Sequence, residues 1–396
     1  MHLTQLDIEG FRSLASVSWK PGDLNVVIGP NGSGKSNLLR LLEMISAGAQ
    51  DRLSDYVQSA GGINALLWDG RSSQIKFILQ TSPTEYFVAI PGVEKVSQLP
   101  PLLYAVALAR LGYATAYQVV DETLTSFNKD IYFIEREGRE AVVSDGDVSA
   151  VLKDDSIVEQ ELVVVIANNP FSPNQNVPVF ANYLRTWLIY HTINTSADAA
   201  IRQPAVTRLE AQVAPNGQNL INVLHTLYTG DREFKASINS AMHAAFGPDY
   251  DELIFPPASD QRIQLRLRWK TLKREQSAAD LSDGTLRFLF LLTVLANPHP
   301  APLIAIDEPE TGLHPSMLPI IAEYAVEASR RTQVIFTTHS DQFLDAFGDT
   351  KPTTTVAKWE EGKTTLTTLA EEELAYWLKD YTLGKLFRTG ELEALA

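Results

Sequence analysis

Residues 29–36 read Gly29-Pro30-Asn31-Gly32-Ser33-Gly34-Lys35-Ser36, a stretch that fixes a ligand class. It satisfies G-x-x-x-x-G-K-[ST] at every constrained position. Glycines let consecutive backbone N–H groups turn inward around the phosphates of a nucleotide. The lysine can reach the β- and γ-phosphates, and the hydroxyl after it can ligate Mg2+. The flanks fit as well. Leu24 to Ile28 is a short apolar run suited to a buried strand, and Ser36 to Met44 carries apolar residues at helical spacing. The dipole and free amides of that helix N-terminus favour negative charge. A Gly-rich turn without a ligand is the competing reading, and the strand and helix on either side weigh against it.

The whole chain bounds the setting. With 396 residues it can form two or three lobes, each with its own core, and 45% hydrophobic with 20% charged residues is an ordinary globular composition. There is no cysteine, which excludes disulfides, thiolate metal sites and cysteine nucleophiles and is compatible with a cytoplasmic location. Met1 to Ile8 alternates like a strand and does not read as a signal peptide. Leu102 to Val120 contains Arg110, Gly112 and Gln118 and reads as a hairpin turning at Gly112; Leu286 to Leu295 is too short for a bilayer. No membrane span is expected. A net charge of −15 argues against a protein that coats nucleic acid, so any DNA contact is expected to be local.

Periodicity divides the chain into three parts. Residues 1–167 read as an N-terminal lobe holding the phosphate loop and an antiparallel β-subdomain. Its short alternating segments run Ile75 to Leu79, Tyr86 to Ile90, Tyr104 to Arg110, Ala114 to Val120, Ile131 to Glu135 and Ala141 to Val143. Asn168 to Asn174 reads as a junction loop. Residues 168–275 read as an insert lobe, mostly helical from Val179 to Phe246, followed by a strand from Arg262 to Lys270. Residues 276–396 carry helix, buried strand (Leu303 to Ile306), helix, buried strand (Val334 to Thr337), a hairpin around Gly362 and an acidic helical tail. No internal repeat and no sustained heptad pattern is visible.

Four further elements follow in the order an ATP-hydrolysing cassette needs. Leu303-Ile304-Ala305-Ile306-Asp307-Glu308 is an apolar strand ending in two carboxylates. Asp307 can hold Mg2+ beside the loop, and Glu308 can orient or deprotonate an attacking water. Ser282 and Gly284, opening the helix from Leu286, form a second anion cradle at a helix N-terminus. One chain does not need two such cradles, so the second suits the nucleotide of a partner subunit; a simple N-cap is the alternative. Thr337-Thr338-His339-Ser340 places a histidine at the exit of a core strand, where it can hydrogen-bond a γ-phosphate. Glu310 to Pro315 has the composition of a loop suited to a subunit contact.

On these residues, together with Ile8-Glu9-Gly10-Phe11-Arg12-Ser13-Leu14, the chain resembles the ABC-type AAA family ATPases of the SMC, RecF and OLD-like group, in their compact form without coiled-coil arms or a Toprim domain. The resemblance implies an α/β P-loop NTPase fold: an ABC-type ATPase head with an antiparallel β-subdomain and a helical lobe. It implies ATP and Mg2+ as cofactors. Lys35 and Ser36 become Walker A, with Asn31, Gly32, Ser33, Gly34 and Asn37 around the nucleotide. Arg12 and Ser13 fall near the α-phosphate. Asp307 and Ser36 become the metal residues, while Glu308, His339 and Lys35 become the catalytic ones. Ser282 and Gly284 become the signature of a head-to-tail homodimer with ATP sandwiched between subunits. Asp283 and Thr285 depart from the transporter-type signature, and the family's glutamine loop has two candidates, Gln74 and Gln80.

Arg262, Gln264, Arg266, Arg268 and Lys270 share one face of the expected strand, and Lys273 and Arg274 extend it. Two readings stand: a local DNA contact, or a solvated face paired with nearby acidic segments. Three functional readings follow. The ATPase drives a DNA-associated process such as repair; or it regulates an anti-phage defence system with a separate nuclease or toxin as effector; or it is an ATP-dependent scaffold that hardly hydrolyses, which Glu308 argues against.

Overall fold

The computed structural model describes residues 1–69, 71–90, 93–112, 116–144, 149–153, 157–168 and 176–396. Past Asn168, the expected junction loop lies outside the described residues, as does the beginning of the strand expected from Ala114.

The described residues build a six-stranded sheet in the order Leu188–Tyr190, Leu303–Asp307, Gln333–Thr338, Leu24–Ile28, Thr353–Glu360, Lys363–Thr368. The first five strands are parallel, and the last returns antiparallel through the hairpin at Gly362. Three of these strands are buried on both faces, which is why their sequences are nearly continuous apolar runs. Alternate residues enter different cores. Val26, Ile28, Ile304, Ile306, Val334 and Phe336 face a layer containing the helix Asp283–Leu295, whereas Val27, Leu303, Ala305 and Ile335 face one containing the phosphate-loop helix Lys35–Ala49. Each such side chain contributes roughly 1.5–3 kcal/mol on burial, so Phe336→Ala, at the centre, costs about 3–5 kcal/mol.

The expected antiparallel sheet is present and larger than its sequence segments suggested. Eight strands run in the order Ser149–Leu152, Glu140–Ser144, Tyr132–Glu137, Tyr117–Ser126, Leu102–Arg110, Gln74–Thr81, Leu3–Phe11, Leu14–Trp19. Thr84–Ile90 pairs instead with Val93–Leu99 as a separate hairpin. Within the large sheet Glu122 is fully buried and accepts from the amides of Val163 and Val164 and from the Tyr104 hydroxyl. That carboxylate ties the short helix Val163–Ile166 to the sheet, since a helix start needs acceptors for its free amides.

Two expectations change. The stretch from Val179 is helical over Asn176–Arg185, Leu220–Gly230 and Arg232–Phe246, but Leu188–Tyr190 is a strand at the edge of the parallel sheet. A short apolar run bears no periodicity that separates strand from buried helix; pairing with Leu303–Asp307 decides it. The single strand expected from Arg262 to Lys270 is two. Arg262–Ile263 pairs with Ala205–Val206 and Pro257–Ala258, while Arg266–Trp269 pairs with Tyr250–Ile254 and Gln276–Ser277. The period-two burial continues across the break, so alternation alone could not reveal it.

Candidate functional site

Strand register assembles the site. Tyr190 stands opposite Ile306, Asp307 opposite Thr337, and Thr338 opposite Ile28. The residues leaving the carboxyl ends of four adjacent parallel strands are therefore His191, Glu308, His339 and Gly29, along the edge where parallel α/β sheets bind ligands.

Gly29, Gly32 and Gly34 all have positive φ, and Gly34, at +97°, caps the helix with no side-chain hydrogen bond. A Cβ at Gly34 would overlap Thr364 Oγ1 and Ser13 Oγ, so only glycine fits. Thr364 Oγ1 donates to the Ser33 carbonyl (2.9 Å) and lies 2.7 Å from Ser13 Oγ, from which it can accept; Asn37 Nδ2 donates to Ser13 Oγ (2.7 Å). The turn at Arg12 and Ser13 thus packs beside the loop. Arg12 itself adopts φ +45° and leaves its Nε buried without a hydrogen-bond partner; burial and the nearby Arg40 push its pKa down.

Lys35 is buried and donates from Nζ to the carbonyls of Gly29 (2.7 Å) and Pro30 (3.1 Å). Burial lowers its pKa, and the carboxylates of Glu308, Asp307 and Glu310 work against that shift. Ser36 Oγ donates to Asp307 Oδ1 at 3.2 Å, and the Thr337 hydroxyl donates to the same oxygen. Burial alone would raise the pKa of Asp307, but the hydrogen bonds from His191, Thr337 and Ser36 outweigh it and keep the group ionised.

Glu308 sits at φ +47°, an uncommon conformation for a side chain of its size, held by its amide hydrogen bond to the Thr337 carbonyl (3.0 Å). His339 Nδ1 lies 2.9 Å from Glu308 Oε1. Glu310 accepts from the Thr338 hydroxyl (2.5 Å), while its Oε2 is buried with no hydrogen bond. Burial pushes the Glu310 carboxyl up.

Ser282 caps the helix Asp283–Leu295 by accepting from the Thr285 amide (3.1 Å). Gly284 lies against the Gly312 carbonyl, where a Cβ would come within 2.7 Å. Among the described residues no hydrogen bond or ion pair joins Ser282 or Gly284 to the phosphate loop; both motifs occur in one chain but are not brought together in it. Ser282 and Asp283 are exposed.

The donor set fits a nucleotide polyphosphate with a divalent cation. Ser33 Oγ is buried without a partner, space around Gly32 is open, and the helix start lacks a side-chain cap. Ser36 and Asp307, a hydroxyl and a carboxylate, are hard oxygen ligands of the kind Mg2+ prefers. Cavities of about 630 and 510 Å3 lie elsewhere, at Lys20–Gly22 with Leu369–Ala375 and between Ser237 and Thr350, and hold none of these residues.

A family described as "AAA domain, putative AbiEii toxin, Type IV TA system" matches residues 24–88 and 121–345. The chain belongs to this AAA-domain family. Among solved structures it is similar to an SmcHead bound to the C-winged helix domain of ScpA, with 14% identity, TM-score 0.53, and 94% of this chain and 100% of that one covered. It is also similar to the Smc head domain with an extended coiled coil bound to the C-terminal domain of ScpA from Pyrococcus furiosus, with 12% identity, TM-score 0.55, and 96% and 99% covered. No curated protein matches in sequence. The fold is that of an ABC-type ATPase head, with the phosphate-loop strand inside the parallel sheet and the antiparallel sheet beside it.

Sequence reading missed several residues that the AAA fold brings in. His191 stands 3.4 Å from Asp307 Oδ2 through Nδ1 and 3.3 Å from Glu43 Oε2 through Nε2. Burial opposes charge on its ring, yet the hydrogen bonds to Asp307 and Glu43 prevail and its pKa is pushed up to about 9. The signal was available: an apolar triplet followed by a polar residue, as at Ile306-Asp307. Thr364, 328 residues beyond Ser36, left no signal of its own. Gln74 and Gln80 lie within a strand of the antiparallel sheet, paired with Ala109 and Leu103, not at the carboxyl edge of the parallel one.

Arg266 is ion-paired with Glu275 (3.4 Å), and Arg268 with Glu252 (2.5 Å) and Glu275 (3.3 Å). Arg262 donates to the Pro204 carbonyl and Lys270 to that of Pro248. Among the described residues no helix is long and apolar enough to cross a membrane.

Proposed function

We propose that the chain binds and hydrolyses ATP with Mg2+ in a site completed by a second copy, and that closure of the pair regulates a separate effector. The observation that carries this reading is the convergence of Ser36 on Asp307, and of His339 on Glu308, at the carboxyl edge of one parallel sheet.

In this reading Lys35 leaves the loop carbonyls for the β- and γ-phosphates, and the amides from Asn31 to Asn37 line the phosphate chain. Arg12 and Ser13 face the α-phosphate side. Ser36 and Asp307 would hold Mg2+, which would supply charge that neutralises the phosphates. Glu308 accepts a proton from the attacking water at its carboxylate. His339 holds that carboxylate through Nδ1 and can donate to the γ-phosphate. Ser282, which is exposed, and Gly284, neither hydrogen-bonded to its own phosphate loop, supply the second cradle to the partner copy's ATP.

For the effector, the family's description as a putative toxin and Type IV TA system favours a regulatory ATPase in a defence setting, acting with a separate toxin or nuclease. A DNA-associated role, in repair or genome maintenance, is the second reading. It rests on the basic residues Arg262, Arg266, Arg268 and Lys270, two of which already have carboxylate partners. Phosphate release and light scattering with ATP, ADP or no nucleotide test the proposal. ATP-dependent dimerisation with turnover is expected; a monomer that neither binds nor hydrolyses ATP overturns it. Filter binding of duplex and single-stranded DNA at two salt concentrations separates the effector readings.

A further inference from the structure

His191 is reached by none of the motifs, yet it touches the centre of the site. The Asp307 carboxylate has unequal surroundings. Its Oδ1 accepts from both the Ser36 and Thr337 hydroxyls, whereas Oδ2 has His191 as its hydrogen-bond partner. The other nitrogen of His191 meets Glu43, seven residues after Ser36 on the same helix. Seven residues are two helical turns, so Ser36 and Glu43 share one face, roughly 10 Å apart along the axis. The helix and the Asp307 strand are therefore joined twice on that face: directly by Ser36 to Asp307, and through the imidazole from Glu43. His191, Arg287, Asp307, Glu308 and Thr311 also border a cavity of about 110 Å3, so the ring lies at the edge of the reacting region.

We infer that His191 is a positioning residue for the metal: braced by Glu43, it fixes the rotation of the Asp307 carboxylate so that Asp307 and Ser36 present their oxygens together to Mg2+. This rests on the ATP and Mg2+ reading above. A carboxylate free to turn about its Cβ–Cγ bond presents its ligand lone pairs only part of the time. A ligand-orienting hydrogen bond of this kind changes metal affinity by about 10–100-fold. His191 hydrogen-bonds Asp307 and Glu43 and no residue of the phosphate loop, so binding of metal-free nucleotide is expected to be independent of it.

The experiment is titration of methylanthraniloyl-ATP fluorescence in EDTA and, separately, with rising Mg2+. Wild type is expected to bind in both conditions, more tightly with Mg2+. His191→Ala is expected to bind as wild type in EDTA but to need at least tenfold more Mg2+. His191→Gln, whose amide N–H can still reach Asp307, is expected to recover most of that loss. Glu43→Gln keeps the ring and weakens its brace, with an expected shift of about threefold; it decides the matter should the alanine variant not fold. An unchanged Mg2+ requirement in His191→Ala, or in Glu43→Gln, overturns the inference, as does a parallel loss of binding in EDTA and in Mg2+, which marks a purely structural residue. Failure of wild type to bind nucleotide in either condition sinks the ATP reading instead.

Discussion

Arg202 donates to the carboxylate of Asp283, the first residue of the helix Asp283–Leu295, and to the carbonyls of Thr195 (2.8 Å) and Leu281 (2.6 Å). Its guanidinium also reaches Ala278 and Ala279, each at 3.2 Å. One buried cation thus holds both sides of the turn that presents Ser282. Arg202→Ala leaves several buried carbonyls without donors, at a cost of roughly 2–4 kcal/mol. Urea denaturation should show that loss, and light scattering should show a weaker ATP-dependent dimer. Lysine at this position cannot serve so many acceptors in one plane and is expected to recover little.

Thr364 buttresses the phosphate loop through Ser13 and the Ser33 carbonyl. Thr364→Val keeps the shape and removes the hydroxyl, at a cost of about 1–3 kcal/mol in a buried position. Fluorescent ATP binding is expected to weaken together with stability. Unchanged affinity in a destabilised variant would detach the hairpin from the site.

Glu308→Gln would remove the proposed proton acceptor while keeping a group that His339 can hydrogen-bond. Hydrolysis is expected to fall by on the order of 10²-fold or more, with ATP binding retained and the dimer trapped. Single-turnover phosphate release and light scattering read both effects; full turnover in this variant would remove Glu308 from its role.

Glu310 gives a pH dependence of stability. Its folded pKa lies above the ordinary glutamate value of 4.5 because burial disfavours the carboxylate. The folded state therefore holds its proton to higher pH than the unfolded state, and stability is lost as pH rises from about 4.5 through the raised folded value. Glu310→Gln removes that dependence. Thermal melts should show the variant gaining on wild type by a few degrees at pH 8 and less at pH 5; the reverse order would contradict the burial account.

Replacing Arg266 and Arg268 by glutamate would set like charges beside Glu252 and Glu275 and destabilise the small sheet whatever DNA does. Lys273 and Arg274, both exposed, make the cleaner test. If the basic face contacts DNA, the double change to glutamate should lower binding and flatten its salt dependence by about two counterions, with an unaltered melting temperature. Equal retention by wild type and variant would remove the DNA contact.

The order of chemistry along the chain was legible because each motif is local. The loop at Gly29–Ser36, the strand ending in Asp307 and Glu308, and the strand ending before His339 carry their signals within a few residues, so type and direction follow from pattern alone. Legibility ended wherever a residue's role depends on what lies across the sheet. Leu188–Tyr190 is too short to show a period, and Arg262–Trp269 keeps its alternation while crossing between two sheets.

An α/β chain with a phosphate loop and a strand ending in paired acids could be read from sequence, because those are backbone-conformation and charge requirements met by contiguous residues. Tertiary structure alone decided which side chains share the site. Strand register set His191 level with Asp307, and the returning hairpin set Thr364 against Ser13. Contacts between residues more than a hundred positions apart depend on strand order, and strand order is settled by packing that no local pattern encodes.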